Sequence, residues 1–337
     1  MGDTTDRVRI GCLGAARIAP AALVKPARAN EEVEVTAVAA RDAGRARAFA
    51  DKQGIPVVHD SYDALLADPD VDAIYNPLPN GLHALWTIRA LEAGKHVLCE
   101  KPFTANAAEA EQVATVADST GLVVMEAFHW RYHPLATRML DVVNGGELGQ
   151  VRRIETWMCF PLFKRSDIRW QLDLAGGALM DAGCYAVHML RTLAGAEPEV
   201  VAAEAKLRSP GVDRAMGAEM RFADGRTGRI NTSMWSTAVL KMAARVEGDA
   251  GVLNVFNPVA PQYFHRFTVK VGGKTRREKV SGGSTYSYQL AAFAGAVLRG
   301  EPTLTPPTDS IATMRVIDDV YRAAEMAPRQ GAVDTAA

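Results

Sequence analysis

The feature that most restricts how this chain folds is an alternation. From Val8 to Glu126, short apolar runs alternate with stretches of helical periodicity, the pattern of a parallel sheet with crossover helices. Val8–Cys12, Val33–Ala39, Val57–His59, Ala73–Tyr75, His96–Cys99 and Val123–Glu126 read as strands. Ala43–Gln53, Leu82–Ala93 and Ala107–Thr120 read as helices between them. Gly94 and Gly121 stand where a helix end takes a residue tolerant of positive φ. Asn106, followed three residues later by Glu109, reads as a capping box.

After Glu126 the texture changes. A helix around Leu135–Val143 leads to a strand at Val151–Phe160, and a helical segment follows near Gly177–Leu193. Strand-like runs then come at hairpin spacing: Val200–Leu207, Ala218–Phe222, Thr227–Ser236, Lys241–Gly248, Gly251–Phe256 and Phe267–Val271. A helix at Asp309–Met326 closes the chain, and the tail from Pro328 reads as frayed. The fold class expected is α/β: an N-terminal Rossmann domain with a parallel sheet, then an α+β domain with an open, mainly antiparallel sheet and helices on one side. The expected boundaries are 1–126 for dinucleotide binding, 127–330 for substrate binding and oligomerisation, and 331–337 for the tail.

Length and composition agree with two globular domains. The chain has 337 residues, too many for one ordinary core, with 48% hydrophobic and 23% charged residues. A formal net charge of -1 argues against a general nucleic-acid surface, which needs clustered excess Lys and Arg. The basic run Lys274–Arg277 is flanked by Glu278 and reads as a solvated strand or turn. Cys12, Cys99, Cys159 and Cys184 have no redox or metal spacing, which points to a reducing compartment. The N-terminus offers no signal peptide, and no run reaches the ~20 apolar residues of a membrane span. A cytoplasmic protein is expected.

The first strand runs into a turn of small residues and then a helix, from Arg9 to Ala19. Small residues there let backbone N–H groups approach a pyrophosphate, and the helix N-terminus adds partial positive charge. Gly11, Gly14, Ala15, Ala16, Arg17 and Ile18 form this candidate cradle. Ala16 replaces the second glycine of the strict fingerprint, so close approach is slightly hindered there. The second strand ends at Ala39-Ala40-Arg41-Asp42. An acidic residue here grips the ribose hydroxyls of NAD, whereas an arginine suits the 2′-phosphate of NADP. Ala40 and Arg41 come first, which favours NADP with NAD also possible; the other reading makes Arg41 and Asp42 solvent charges opening a helix.

The fifth strand ends in Glu100-Lys101-Pro102, where α/β sheets bind ligands, so Lys101 is delivered to the crevice. Far downstream, Gly176-Gly177-Ala178-Leu179-Met180-Asp181-Ala182-Gly183-Cys184-Tyr185 puts Asp181 and Tyr185 four apart, on one face of a helix. Together with the cradle and in this order, Glu-Lys-Pro and Asp-x-Gly-x-Tyr resemble the glucose–fructose oxidoreductase/inositol dehydrogenase/MocA family. Among its members the look is closest to dihydrodiol dehydrogenases and sugar 1-dehydrogenases. Supporting pieces are Asn76 to His83, Met125 to Phe128, and Tyr288-Gln289 before Phe293.

That resemblance implies an NAD(P)-dependent oxidoreductase acting on a hydroxyl or carbonyl carbon of a sugar, polyol or cyclic diol. It implies that Lys101 and Tyr185 are the catalytic pair, with Asp181 orienting one of them or a substrate hydroxyl. A phenol is a poor base at its ordinary pKa near 10, and an ammonium beside Tyr185 is expected to lower it. The roles of Lys101 and Tyr185 are interchangeable at this level. The resemblance also sets Pro77, Leu78, Pro79, Asn80 and His83 against the cofactor, with Glu100 near the nicotinamide. Arg169 and Trp170 are expected to cover cofactor or substrate. Trp130, Tyr132 and His133 either line a sugar pocket or form the domain junction.

The seven histidines have no companion carboxylates or thiols at ligand spacing, so no metal is expected. The alternatives are a sugar–sugar oxidoreductase that retains NADP, for which the short N-terminus offers no embracing segment, and a non-catalytic cofactor sensor. Retention of both Lys101 and Tyr185 speaks against the sensor. Large apolar groups in Arg152–Met158 and Thr232–Trp235 predict a homodimer or homotetramer through the second sheet. Beyond its own copies, the expected partner is a small-molecule substrate, with no nucleic acid and no membrane.

Overall fold

The protein, seen in a computed structural model that describes residues 7–235 and 240–332, is built on two sheets. The first contains β1 (Val8–Leu13), β2 (Val33–Ala39), β3 (Val57–His59), β4 (Ala73–Asn76), β5 (His96–Cys99) and β6 (Val124–Glu126). All pairings are parallel, in the order β3-β2-β1-β4-β5-β6. The order reverses between β1 and β4, which opens a crevice at the carboxyl ends of these strands.

Both faces of this sheet are buried, as a parallel sheet requires. Leu13, Ile74, Val97 and Cys99 pack with the helices Tyr62–Leu66, His83–Glu92 and Ala107–Thr120. Ile10, Cys12, Tyr75 and Leu98 face the other way, onto Ala22, Leu23, Leu290 and Phe293. Leu290 and Phe293 belong to a helix, Thr285–Arg299, that the hydrophobic pattern did not single out. It lies within the segment expected to form the second domain, yet it covers the first sheet. The local expectations at chain ends hold: Gly94 and Gly121 take φ of 77° and 68°, and the Asn106 side chain accepts from the Glu109 N–H.

The second sheet has eight strands: β7 (Val151–Cys159), β8 (Glu199–Ser209), β9 (Val212–Arg221), β10 (Thr227–Ser233), β11 (Lys241–Gly248), β12 (Gly251–Phe256), β13 (Arg266–Val271) and β14 (Lys274–Glu278). Their order is β14-β13-β12-β11-β7-β10-β9-β8, antiparallel except for the β7–β10 pair. The expected run to Ser236 extends past Trp235 and so lies partly outside the described residues. Helices Cys184–Ala194 and Pro307–Ala323 cover one face. Ile154 and Met158 point to that covered face and are buried. The open face instead carries Arg153, Glu155 and Trp157, with ion pairs Arg153–Glu155, Arg229–Glu219 and Arg245–Glu247. The expected broad apolar patch is therefore corrected: alternation sends the aliphatic groups inward and leaves paired charges outside.

The tail is corrected too. Arg329 is buried, and its guanidinium meets Asp213 at 2.8 Å and the Gly176 carbonyl at 2.9 Å. The Ala332 N–H donates to Gly81 at 2.7 Å, so residues 328–332 strap the second domain to the first. Among the described residues, no helix is long and apolar enough to cross a membrane.

Candidate active site

The crevice is built from strand ends. At the end of β1, Gly14 takes φ of 82° and donates its N–H to the Ala39 carbonyl at 2.6 Å. A Cβ here would be strained and would lie 3.3 Å from Leu78, so the β1 turn and the β4 loop sit close together. Ala15 and Ala16 are half-buried, Arg17 and Ile18 exposed, and their N–H groups make none of the turn's backbone hydrogen bonds. That is a backbone cradle fit for a pyrophosphate. Gly11 does not belong to it: it is buried in β1 against Leu65 and Val71.

Ala40 is buried and Arg41 is exposed at the end of β2. Asp42 is committed elsewhere, because its side chain accepts from the Arg45 N–H at 2.7 Å and caps the next helix. Arg41 is thus the side chain left to meet a ribose or its phosphate.

The β4 loop brings Pro77, Leu78, Pro79 and Asn80 to the same end. His83 is buried below it. Its two ring nitrogens face the carbonyls of Pro102 and Leu78, each at 2.7 Å. Burial pushes this imidazole down to about 4, against the pull of the two carbonyls. His83 ties the β4 and β5 loops together and presents neither nitrogen to the crevice.

Glu100 is buried, accepts from the Tyr75 hydroxyl at 2.8 Å, and is raised by that burial against the opposing Lys101 charge. Lys101 Nζ donates to the Asp181 carbonyl at 3.2 Å and stands 5.0 Å from the centroid of the Tyr185 ring. Residues 80 positions apart therefore meet at one point, as expected of Lys101, Asp181 and Tyr185. Asp181 and Tyr185 do not share a single α-helix. Asp181 lies in a wide i→i+5 turn, Leu179–Gly183, and Tyr185 in the helix that follows.

Two electrostatic expectations change. The Tyr185 phenol is pushed well above its ordinary range, by burial first and then by neighbouring Tyr286 and Glu100. The Lys101 ammonium lies over the ring rather than at the hydroxyl, so it does not produce the expected lowering. The hydroxyl's partner is His129 Nε2 at 2.9 Å, and His129 Nδ1 in turn meets Thr285 Oγ1 at 2.8 Å. Sequence reasoning weighed His129 only as a metal ligand. Its partners lie 56 and 156 residues away, and no local signal reveals them.

Asp181 is buried and its carboxyl is raised to about 7 by burial, against Lys101, Arg169 and a 3.4 Å hydrogen bond from Asn80. Between about pH 4 and 7 the folded state therefore binds more protons at Asp181 than the unfolded chain, so this group lowers stability as pH rises. Asp181→Asn should remove that loss. In the ligand-free protein the gain at about pH 8 should approach, at most, about 4 kcal/mol. The Tm difference between variant and parent should widen from about pH 5 to about pH 8; a constant difference counts against a raised carboxyl.

Arg169 and Arg17 converge on buried Asp167, at 2.9 Å and 3.1 Å. Burial opposes ionisation of Asp167, but the two guanidinium groups hold its carboxyl below the usual range. This bridge joins the β1 turn to the loop after β7, and it was missed because Asp167 looks like an ordinary helix cap. Trp170 is buried beneath the Arg208 guanidinium, 4.6 Å from its ring centroid, so it underpins that loop more than it covers the crevice.

Trp130, Tyr132 and His133 are each bonded to a partner in the segment after Glu126. Trp130 is buried and donates to His188 at 3.1 Å. The Tyr132 hydroxyl meets Thr305 at 2.9 Å. His133 accepts from the Leu135 N–H and caps the helix Pro134–Asn144. The Trp130 N–H, the Tyr132 hydroxyl and His133 Nδ1 are taken up within the chain, while His133 Nε2 is buried without a hydrogen-bond partner. Among the described residues, no three His, Cys, Asp or Glu side chains form a metal cluster.

A Rossmann crevice whose end carries a phosphate cradle, a lysine and a buried tyrosine defines a nicotinamide-dependent oxidoreductase. Residues 8–128 match the model of an oxidoreductase family with an NAD-binding Rossmann fold, and residues 137–254 match the GFO/IDH/MocA C-terminal domain. The chain belongs to the glucose–fructose oxidoreductase/inositol dehydrogenase/MocA family. A D-xylose 1-dehydrogenase (NADP(+)) from Haloferax volcanii is 39% identical over 319 residues, covering 94% of this chain and 97% of that protein. The crystal structure of a 3-ketoreductase from Actinomadura kijaniata, in complex with NADP and TDP-benzene, matches with a TM-score of 0.89 at 31% identity. That match covers 94% of this chain and 98% of the other. An aldose–aldose oxidoreductase from Caulobacter crescentus, complexed with glycerol, matches at 26% identity with a TM-score of 0.87, covering 95% and 98%.

Proposed function

We propose that this oxidoreductase works on the CH–OH or carbonyl carbon of a sugar, polyol or cyclic diol, with NADP preferred to NAD. The observation that carries the reading is the meeting of Lys101, Asp181 and Tyr185 at the end of β5, beside the cradle at Gly14. The D-xylose named for the Haloferax volcanii relative supports the substrate class. The residues present fit a dinucleotide: the backbone of Gly14–Ile18 for the pyrophosphate, Arg41 for a 2′-phosphate, and Pro77–Asn80, Glu100, Lys101 and Arg169 around the remainder. In this division of labour, the first sheet carries the cofactor and the segment from 127 onward shapes the substrate pocket.

When bound, the nicotinamide supplies or accepts hydride. The chain's own residues manage the proton. Burial keeps the Tyr185 phenol protonated, so in reduction it has a proton to give to the carbonyl oxygen once negative charge develops there. The Lys101 ammonium draws negative charge onto the same oxygen. Asp181 holds Lys101 through its carbonyl and, when ionised, offers the amide of Asn80 and a substrate hydroxyl an acceptor.

A panel of sugars, polyols and trans-diols with NADP+, D-xylose first, tests the reading by cofactor absorbance. Cofactor binding without turnover of any of them returns the chain to a sensor role. The likeness to the aldose–aldose oxidoreductase favours a second reading, in which the protein keeps its NADP and cycles it between two sugars. Turnover of a sugar pair by the purified protein with no added cofactor decides for it.

Arg41→Ala should weaken NADP by about 1.5–3 kcal/mol, the worth of a charge-assisted contact, and leave NAD nearly unchanged. Equal losses for both cofactors would assign the choice to the backbone. The four cysteines, all unpaired, support a reducing compartment, the cytoplasm. A homodimer or homotetramer would use the open face of the second sheet, where Trp157, Gly217, Asn231 and Lys241 help to line a hollow of ≈ 510 Å³ among the paired charges. Light scattering should give at least twice the 36.2 kDa of one chain; a single-chain mass at micromolar concentration refutes it.

A further inference from the structure

We propose that His129, set by Thr285, is the positioning residue that aims the Tyr185 hydroxyl at the substrate oxygen. The inference rests on the oxidoreductase reading in which Tyr185 is the proton donor.

Tyr185, His129 and Thr285 come from three separate elements: the helix Cys184–Ala194, the short turn His129–Tyr132, and the first residue of the helix Thr285–Arg299. All three are buried. Tyr185 Oη lies 2.9 Å from His129 Nε2, and Thr285 Oγ1 lies 2.8 Å from His129 Nδ1. The Tyr286 ring packs on the imidazole, with centroids 4.2 Å apart, and Lys101 is the cation that faces it. Burial first, and then the Lys101 charge, hold this imidazole neutral, pushed down to about 3.

A neutral imidazole donates from one nitrogen and accepts at the other. The distances fit either tautomer; in the one proposed, Thr285 donates its hydroxyl proton to Nδ1, so that Nε2 carries the hydrogen and donates to the Tyr185 oxygen. The phenol proton is then excluded from the His129 side and turned to the crevice, where Lys101 stands. When the Tyr185 O–H bond breaks, the new O–H bond forms on the substrate oxygen. The charge left on the phenolate is met by the Nε2–H donor. His129 neither gains nor loses a proton in this step. It fixes a direction and steadies the phenolate.

The test uses the full chain as His129→Leu, His129→Gln, Thr285→Val and Tyr185→Phe. NADP+ is paired with D-xylose, or with whichever alcohol of the panel is turned over. His129→Leu should lower kcat by about 10²-fold, the cost of misdirecting a reacting group, with the KM for NADP+ within about twofold. His129→Gln, whose amide offers an N–H at a similar reach, should recover about tenfold of that loss. Thr285→Val, an isosteric change that spares the packing, should cost about fivefold, the worth of one hydrogen bond. A merely structural role would lower Tm without rescue by Gln. Parent kcat in both His129→Leu and Thr285→Val, beside an inactive Tyr185→Phe, overturns this proposal alone. An active Tyr185→Phe overturns the assignment of Tyr185 as donor instead, and this proposal with it. Should no alcohol be turned over, the 15N-histidine spectrum of the free protein decides. A single Nε2–H tautomer for His129, disturbed by Thr285→Val and by Tyr185→Phe, supports the proposal; an Nδ1–H or mixed tautomer overturns it.

Discussion

Replacing Tyr185 by Phe should cut turnover by roughly 10²–10⁴-fold and leave cofactor affinity nearly unchanged. Phe keeps the edge-on contact with Phe128, whose ring centroid lies 5.5 Å away, so the packing survives. It removes the phenolic proton, and it strands His129 Nε2 without its partner. A stability cost of about 1–3 kcal/mol should accompany the kinetic loss, since a buried polar atom is left unpaired. Lys101→Met should be at least as damaging to turnover, because it also releases the Asp181 carbonyl at 3.2 Å. The double variant should be little worse than the weaker single one, as groups acting on one oxygen are not additive. Stopped-flow measurement of the hydride step would register all three. Near-normal turnover in Tyr185→Phe transfers the proton donor's role to Lys101 or His129.

Arg329→Met should destabilise the protein by about 3–5 kcal/mol, the cost of removing one partner of a buried ion pair. The side chains of Arg329 and Asp213 are 2% and 0% exposed, so neither charge has water to fall back on. Burial raises the Asp213 carboxyl even with Arg329 opposing it, and without the guanidinium it should take up a proton. The same carboxylate accepts from the Leu179 N–H at 2.7 Å and from the Tyr321 hydroxyl at 3.1 Å. Gly177, at φ 142°, gives it room: a Cβ there would lie 2.2 Å from Asp213 Oδ1. The network thus holds the entry to the turn that carries Asp181, and kcat should fall with stability. Urea unfolding of Arg329→Met, and of Arg329→Met with Asp213→Asn, measures the effect. The second change should restore part of the loss, since a buried amide needs no proton uptake to stay neutral. An unchanged midpoint in the single variant would mean that residues 328–332 do not carry the load their burial implies.

Local chemistry was legible in the chain itself. The strands of the first sheet, the helix spans Ala43–Gln53 and Ala107–Thr120, and the stops at Gly94 and Gly121 all follow from periodicity and capping, whereas the order of the strands does not. These signals act over a few residues and need no partner from elsewhere. Lys101 was legible for the same reason, because a strand end in an α/β sheet opens on the crevice. Asp181 and Tyr185 were singled out by their pattern, although the wide turn between them was not. Gly14 reads as a turn glycine and takes φ of 82°, whereas Gly11, which looks equally suited in sequence, is buried against Leu65.

Tertiary structure alone decided which polar side chains remain free to do chemistry. In sequence, His83 and His133 draw attention by their place near the expected cofactor and pocket, and nothing marks His129 for catalysis. Folding spends His83 on two carbonyls and His133 on a helix cap, and leaves His129 against Tyr185. Trp130 and Tyr132 suit a sugar pocket by residue type but are consumed by His188 and Thr305, across 58 and 173 residues. Arg329 looked like part of a loose tail until Asp213, 116 residues earlier, gave it a buried counter-charge. The physical reason is common to all of them. Periodicity and caps report on neighbours along the chain, while the desolvation that commits a polar group is set by partners the chain brings in from far away.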